Sequence, residues 1–397
     1  VPPSPPPLNP SAMGTTNYNS TLGQYPYSPQ SAPPPSYTPN PNLVPPVSSP
    51  PAATPPPEQP SPLRSKPVTS PALSFQGGYI LEGSESAARA RLTGIYPVNS
   101  QLQFGGSIDL TSGDRIFADT ETQGLNINEL YVATAPFRDV PNLRLVAGQL
   151  DLTSYFDRNS FAKDALTHFF NPVFQTNPAL SATGISSRPG ALVNWTITDN
   201  IEAKAAIFSS ARDVGDFTLN GFAGEIGIRY GNAIIRGSYA SDRDAGTDSG
   251  FQEIFSVRRS DGGTGIRSSD REHAYGVNVE YFIPQINMGL FGRYGRYNNQ
   301  TLDRGGDTYS LGINFLDVLT KDDRLGLGYG RSLSNNQLRR ERGDQLPDVL
   351  ELFYDFRFLP NVRLGFTLQE RNDFSETYGG FRIKTEFDLT PKGGSTQ

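Results

Sequence analysis

From Phe75 to Leu389 the chain is a succession of short segments in which apolar and polar side chains alternate. A period of two, held over so many segments, restricts the fold to a sheet with one greasy and one wet face. The pattern is cleanest near the end. Leu350, Leu352, Tyr354, Phe356 and Phe358 interleave with Glu351, Asp355 and Arg357, and Val362, Leu364, Phe366 and Leu368 with Arg363, Thr367 and Gln369. The last segment sets Phe381, Ile383 and Phe387 against Arg382, Lys384, Glu386 and Asp388.

Sixteen such strands are predicted, over 75–83, 86–96, 101–111, 124–135, 142–150, 191–198, 201–210, 221–230, 233–241, 272–282, 286–297, 307–316, 324–332, 348–358, 362–370 and 377–388. Alternation also suits a soluble β-sandwich with its apolar faces turned inward. The connections separate the two readings. The even-numbered gaps are short (YPVNS, FRDVPN, TDN, GN, IPQ, VLTKDD and FLPN), and all odd gaps but the first, at Ser84-Glu85, are longer. Tight turns on one side and long loops on the other, with an even strand count, predict an all-β fold. The expected architecture is a 16-stranded antiparallel transmembrane β-barrel with both termini on the short-turn side.

The longest gap, residues 151–190, carries the one predicted helix. Asn159 or Ser160 caps it and Asn171-Pro172 stops it. Phe161, Ala162, Ala165, Leu166, Phe169 and Phe170 share one face; Lys163, Asp164, Thr167 and His168 share the other. A long loop with a two-faced element inside a β domain is usually functional. This one is expected to fold into the barrel, lay its apolar stripe on the wall and narrow the opening.

The string Gly-Gln-Leu-Asp-x-Thr-x-Tyr-Phe-Asp, within VAGQLDLTSYFDRNSFAKDALTHFFNPVFQTNPAL, resembles the third-loop region of the carbohydrate-selective porin (OprB) family, especially its cyanobacterial branch. The resemblance continues through RPGALVNWTITDNIEAKAAIF and spans roughly residues 76–389. It implies a channel passing small hydrophilic solutes, sugars first, and commonly a homotrimer in a Gram-negative-type outer membrane. Asp151, Tyr155 and Asp157 match the string, and such carboxylates more often tie the loop to wall arginines than bind solute. Cyanobacterial relatives usually carry an S-layer homology domain before the barrel, and this chain has none.

Residues 1–74 form a separate region, with 24 of the 34 prolines at or before Pro71. A stretch so poor in apolar residues cannot offset its ordering entropy and favours extended, disordered chain. It is either an inert spacer or a periplasmic arm reaching the peptidoglycan. In the second case the protein has a mainly structural role, linking outer membrane to cell wall. No signal peptide is visible, so the chain is expected to be a processed form. Residues 390–397 are a tail that ends without a terminal aromatic.

If the apolar face meets lipid, the inward set is Arg89, Arg91, Asp109, Glu202, Lys204, Glu225, Arg229, Arg236, Glu280, Arg293, Arg324, Asp355, Arg357, Arg363, Arg382, Lys384 and Glu386. Eleven are basic and six acidic, a wall suited to anions and to hydroxyl-rich solutes. The candidate solute contacts are Arg89, Arg91, Arg229, Arg236, Arg293, Arg357, Arg363, Arg382 and Lys384. Asp151, Tyr155, Phe156, Asp157, Lys163, Asp164, Thr167 and His168 are the candidate constriction, with Phe174 a further aromatic for stacking sugar. Aromatics near strand ends such as Tyr96, Tyr131, Tyr230 and Tyr281 are candidates for interfacial girdles, or reflect the ordinary enrichment of aromatics in strands.

The net charge of −6 gives no sign of a nucleic-acid partner, and no cysteine and two histidines exclude most thiol and imidazole metal sites. No cofactor is expected. No G-x-S-x-G elbow occurs, and Gly326-x-Gly328-x-Gly330 opens no helix, so no enzyme is predicted. Those glycines are expected to leave room in the lumen or ease curvature.

Overall fold

The computed structural model describes residues 70–113, 123–163, 165–211, 217–243 and 250–391. Sixteen antiparallel strands close into one barrel. The first eight are β1 (Ala72–Glu82), β2 (Glu85–Pro97), β3 (Leu102–Gly113), β4 (Gly124–Thr134), β5 (Leu143–Asp151), β6 (Ser187–Thr198), β7 (Ile201–Ser209) and β8 (Leu219–Tyr230). The rest are β9 (Ala233–Arg243), β10 (Arg271–Ile283), β11 (Met288–Asn299), β12 (Arg304–Leu316), β13 (Arg324–Ser334), β14 (Asp348–Leu359), β15 (Val362–Arg371) and β16 (Glu376–Asp388). Each predicted strand is there, with its ends moved by a few residues. Closure is made by β1 on β16, from Ser74 opposite Asp388 to Glu82 opposite Gly380. No strand edge is left to pair with another chain.

Strand pairing is sequential, so a short turn or a loop joins each neighbour to the next. Tight turns such as Gly231-Asn232 need left-handed backbone, which Gly231 supplies at φ +57°. Leu389 N–H donates to the Leu73 carbonyl at 2.8 Å, fixing the start of β1 and the residue after β16 together on the short-turn side.

The alternation sorts outward against inward as the pattern requires. On β15, Phe366 and Leu368 are about half exposed while Thr367 and Gln369 are buried. On β14, Leu352 points out and Glu351 and Asp355 point in. Leu92, Phe104, Ile108, Leu110, Ile226, Ile228, Val277 and Leu311 continue the outward apolar surface. A β-sandwich would bury these side chains. Here the greasy face is the outside of a closed cylinder, and the polar face is its interior. Among the described residues no helix is long and apolar enough to cross a membrane, and the strands carry the apolar band instead.

Two positions depart from expectation. Tyr131 lies inside, 5% exposed, its ring against Gly105, and does not join an outer girdle. The strand from 75 begins earlier, at Ala72, so three residues assigned to the Pro-rich arm belong to the barrel. Residues 1–69, Asp164 and 392–397, with the expectations placed on them, lie outside the described residues.

Candidate functional site

The loop between β5 and β6 turns into the barrel as predicted, and nearly all of its described residues are buried. Phe161, Ala162, Ala165, Leu166, Phe169 and Phe170 pack with Val173 and Phe174 against the inward side chains Ile80, Phe291, Val349 and Phe353. The Phe169 ring lies 4.3 Å from Phe174 and meets Phe353 edge-on at 4.7 Å. Tyr155, Phe156, Ala179, Leu180 and Ile185 build a second cluster with Tyr131, Val146, Leu192 and Phe208. The apolar stripe is real.

The helix is not. Residues 160–163 and 165–170 hold turns and bends, and among the described residues the loop's one α-helical turn is α1 (Pro178–Ser181), further along. The capping residues act locally all the same. Asn159 Oδ1 accepts from the Phe161 amide at 2.9 Å, and Asn171 Oδ1 accepts from Val173 at 3.1 Å, but neither starts an α-helix.

The reason lies in what satisfies the loop backbone. A helix bonds its own amides and carbonyls, whereas a buried irregular segment must find partners elsewhere. Here the wall supplies them. Glu225 accepts from the Asp157 amide at 2.7 Å, Glu280 from Ser160 at 2.8 Å, and Glu351 from Phe170 and Asn171 at 2.6 and 2.9 Å. On the carbonyl side, Lys204 donates to Tyr155 at 2.7 Å, Arg236 to Arg158 at 2.8 Å and Arg293 to Phe174 at 2.7 Å. Asn278 donates to the Arg158 carbonyl at 2.9 Å, and Arg382 to Ala165 at 2.8 Å and also to His168. Much of the inner charge is thus the hydrogen-bonding complement of one non-helical loop.

The candidate solute contacts sort accordingly. Arg236, Arg293 and Arg382 are buried under the loop; Arg236 pairs with Glu280, Arg293 with Asp157 at 3.6 Å and Arg382 with Asp355 at 3.0 Å. Arg91 grips Asp109, its Nε 2.6 Å from Oδ1, and Arg89 donates to Gln76 at 2.9 Å. Arg363 bonds Asp355 at 2.7 Å, and Arg357 bonds Asp322 at 2.9 Å on the short-turn side. Arg229 donates to the Gly231 carbonyl in the turn after β8, and Lys384 pairs with Glu386 at 3.0 Å. The predicted excess of base narrows, because Glu82, Glu129, Asp242, Glu272 and Glu351 are also buried on the strands, against Arg144, Arg188 and Arg331.

In the loop itself, Asp157 does tie loop to wall. Its Oδ1 accepts from Asn278 at 3.0 Å, it pairs with Arg293, and its Oδ2 accepts from the Asn177 amide at 2.7 Å. Asp151 behaves differently from expectation: its carboxylate accepts from the Thr153 amide at 2.9 Å and from the Thr153 and Ser154 hydroxyls, capping its own turn. Lys163 is buried and donates to the Thr153 and Phe156 carbonyls, stapling the start of the loop to its middle. Burial pushes the Lys163 ammonium down to about 7, with Asp157 and Asp151 pulling the other way. Burial likewise pushes the Tyr155 hydroxyl well above its ordinary value. Tyr155, Phe156 and Phe174 are packed at 6% exposure or less, so their rings fill the interior and do not present a face for stacking. Thr167 is buried, while half-buried His168 sits 3.4 Å from Arg324. The Gly326–Gly330 spacing also finds its use. A Cβ on Gly328 would lie 2.8 Å from both the Phe169 and Phe174 rings, and one on Gly330 2.9 Å from Val173. The room Gly328 and Gly330 leave is taken by the loop, and that at Gly326 by Phe353 and Asn314 of the wall.

Sequence reading missed Glu351, Asn278 and Asn177. Alternation placed Glu351 on the polar face, but nothing local marks it as a ligand of two amides some 180 residues away.

A closed 16-stranded antiparallel barrel with its third outer loop laid inside is the porin fold. Solved structures with this fold include OprB of Pseudomonas putida, with a TM-score of 0.57 and 14% identity, covering 80% of this chain and 94% of that one. OmpT of Vibrio cholerae, an outer membrane protein in a loop-deleted form, gives 0.52 and 12%, covering 80% and 98%. OmpF of Salmonella typhi gives 0.52 and 12%, covering 80% and 97%. An uncharacterized protein of Aquifex aeolicus is 25% identical over 307 residues, 73% of this chain and 82% of that one. No family model matches the sequence.

Proposed function

We propose that this protein is an outer-membrane channel for passive diffusion of small hydrophilic solutes. The observation that carries the reading is the inversion of the barrel: apolar side chains on the outside of a closed cylinder, charged and amide side chains within. Only hydrocarbon makes so large an apolar exterior favourable, since water tolerates contiguous greasy patches of no more than a few hundred Å². The likeness to porin structures supports the same conclusion.

Sugars and small inorganic ions are the proposed permeants. The third-loop string and the fold shared with OprB support the sugars; the interior arginines support the ions. A homotrimer of OprB-like, cyanobacterial-type subunits is the proposed assembly. Because β1 starts on the short-turn side, residues 1–69 are proposed to lie in the periplasm, within reach of the cell wall.

Liposome swelling tests the function. Vesicles containing the purified protein are expected to swell in isosmotic arabinose or glucose and to keep their volume in an isosmotic large dextran. Swelling no faster than in protein-free vesicles overturns the reading.

A further inference from the structure

The loop–wall hydrogen bonds described above fall on β7 to β16. On the far side of the barrel, β2, β3 and β4 carry a different kind of surface. Thr93 on β2 stands opposite Ser107 on β3, and Ser107 stands opposite Glu129 on β4. The register between β3 and β4 shifts between Ser107 and Ile108, since Ile108 pairs with Ile127 and leaves Asn128 as the extra residue. That bulge turns two consecutive side chains, Asn128 and Glu129, toward the interior, where strict alternation would admit one. The Ser187 hydroxyl donates to the Asn128 carbonyl at 2.6 Å and accepts from Gln149 at 2.8 Å, holding the bulge in place.

The result is an uncharged row, Thr93–Ser107–Asn128, across three strands. All three side chains are more than nine-tenths buried. Among the described residues, none of their polar atoms has a hydrogen-bond partner: Thr93 Oγ1, Ser107 Oγ, and both Oδ1 and Nδ2 of Asn128. Buried polar groups are almost always satisfied, so adjacent orphans that can both donate and accept mark a place built for something else. Of the charged neighbours, Arg91 and Asp109, one step along the same strands, are engaged with each other.

We infer that Thr93, Ser107 and Asn128 form a binding row for the hydroxyl groups of an uncharged, hydroxyl-rich solute. The inference rests on the channel reading above and adds the residues that recognise the solute. Two hydroxyls and one carboxamide offer donors and acceptors in nearly equal measure, which matches a polyol, and the Glu129 carboxylate stands beside them on the same bulge.

The test is planar-bilayer recording with the full chain in potassium chloride, with glucose as the probe and current noise as the measure of its binding. Thr93→Val, Ser107→Ala and Asn128→Leu combined are expected to raise the glucose dissociation constant at least tenfold while the salt conductance stays within twofold. Thr93→Ser, which keeps the hydroxyl, is expected to retain wild-type binding. Ser107→Ala alone is expected to weaken it two- to fivefold, a readout that survives should the triple variant fail to insert. Unchanged glucose binding in the substituted channels overturns the inference. So does a wild-type channel that conducts salt and ignores glucose, though passive diffusion then stands. A wild-type protein that conducts nothing overturns both.

Discussion

Glu351 on β14 holds the amide hydrogens of Phe170 and Asn171 with its two carboxylate oxygens, at 2.6 and 2.9 Å. A strand side chain thereby does for two adjacent loop amides what an α-helix would have done with its own carbonyls. The Thr367 hydroxyl donates to the same carboxylate at 2.9 Å, so the group is fully engaged although buried. Glu351→Ala leaves two amides unpaired in the interior and is expected to cost about 2–5 kcal/mol. Glu351→Gln keeps one acceptor oxygen and is expected to cost less than half as much. Urea titration of the detergent-solubilised protein measures both, and equal losses contradict the assignment.

Arg382 gathers the other half of the loop. It donates to the carbonyls of Ala165 and His168, pairs with Asp355 and lies 4.4 Å over the Phe170 ring. Lysine cannot reproduce a planar fork that reaches several acceptors at once. Arg382→Lys is expected to destabilise by about 2 kcal/mol, and Arg382→Ala, which strands Asp355 beside Arg363 alone, by about 3–5 kcal/mol. Thermal unfolding of the two variants should rank them in that order.

Gly328 marks where the loop rings touch the wall. A side chain there must push against Phe169 and Phe174, whose packing against Phe291 and Phe353 leaves no slack. Gly328→Val is expected to cost about 1–3 kcal/mol. It is also expected to add slow current fluctuations in bilayer recordings, as the loop samples displaced positions. A quiet channel of wild-type stability contradicts the packing.

Lys163 gives the fold a pH dependence of definite sign. Its ammonium is held down to about 7 in the folded protein, while an unfolded lysine titrates near 10.4. Between those values the unfolded chain holds a proton the folded one lacks, so this group adds stability as pH rises across the window. Its contribution is level below pH 7. Lys163→Met removes the titration. The stability of the wild type relative to the variant is expected to climb from pH 7 to 10, and a difference flat across that range contradicts the environment described for Lys163.

How much of this was legible depends on how far apart the interacting residues lie. The strands were readable because each one faces two solvents along its whole length, which writes the pattern into neighbours such as Phe366, Thr367 and Leu368. The sorted turns and loops gave the barrel, and the apolar spacing of Phe161 to Phe170 gave the buried face of the loop. That same spacing suits a helix, and nothing local shows that the amide of Ser160 is met by Glu280 or the carbonyl of Ala165 by Arg382. Arg89, Arg91, Arg236, Arg293 and Arg382 are buried, whereas Arg229 and Arg357 sit at the short turns, and the loop carbonyls that Arg236, Arg293 and Arg382 meet were not foreseen. A carbonyl has no signature in a sequence.

The most direct test of the account follows the two faces of one strand in a bilayer. Nitroxide labels placed singly from Leu364 to Gln369 on β15 report their access to oxygen, which concentrates in hydrocarbon, and to a water-soluble nickel chelate. The account predicts high oxygen access at 364, 366 and 368 and low access at 365, 367 and 369, since Phe366 and Leu368 point out and Thr367 and Gln369 point in. The opposite phase, or no period of two at all, contradicts it.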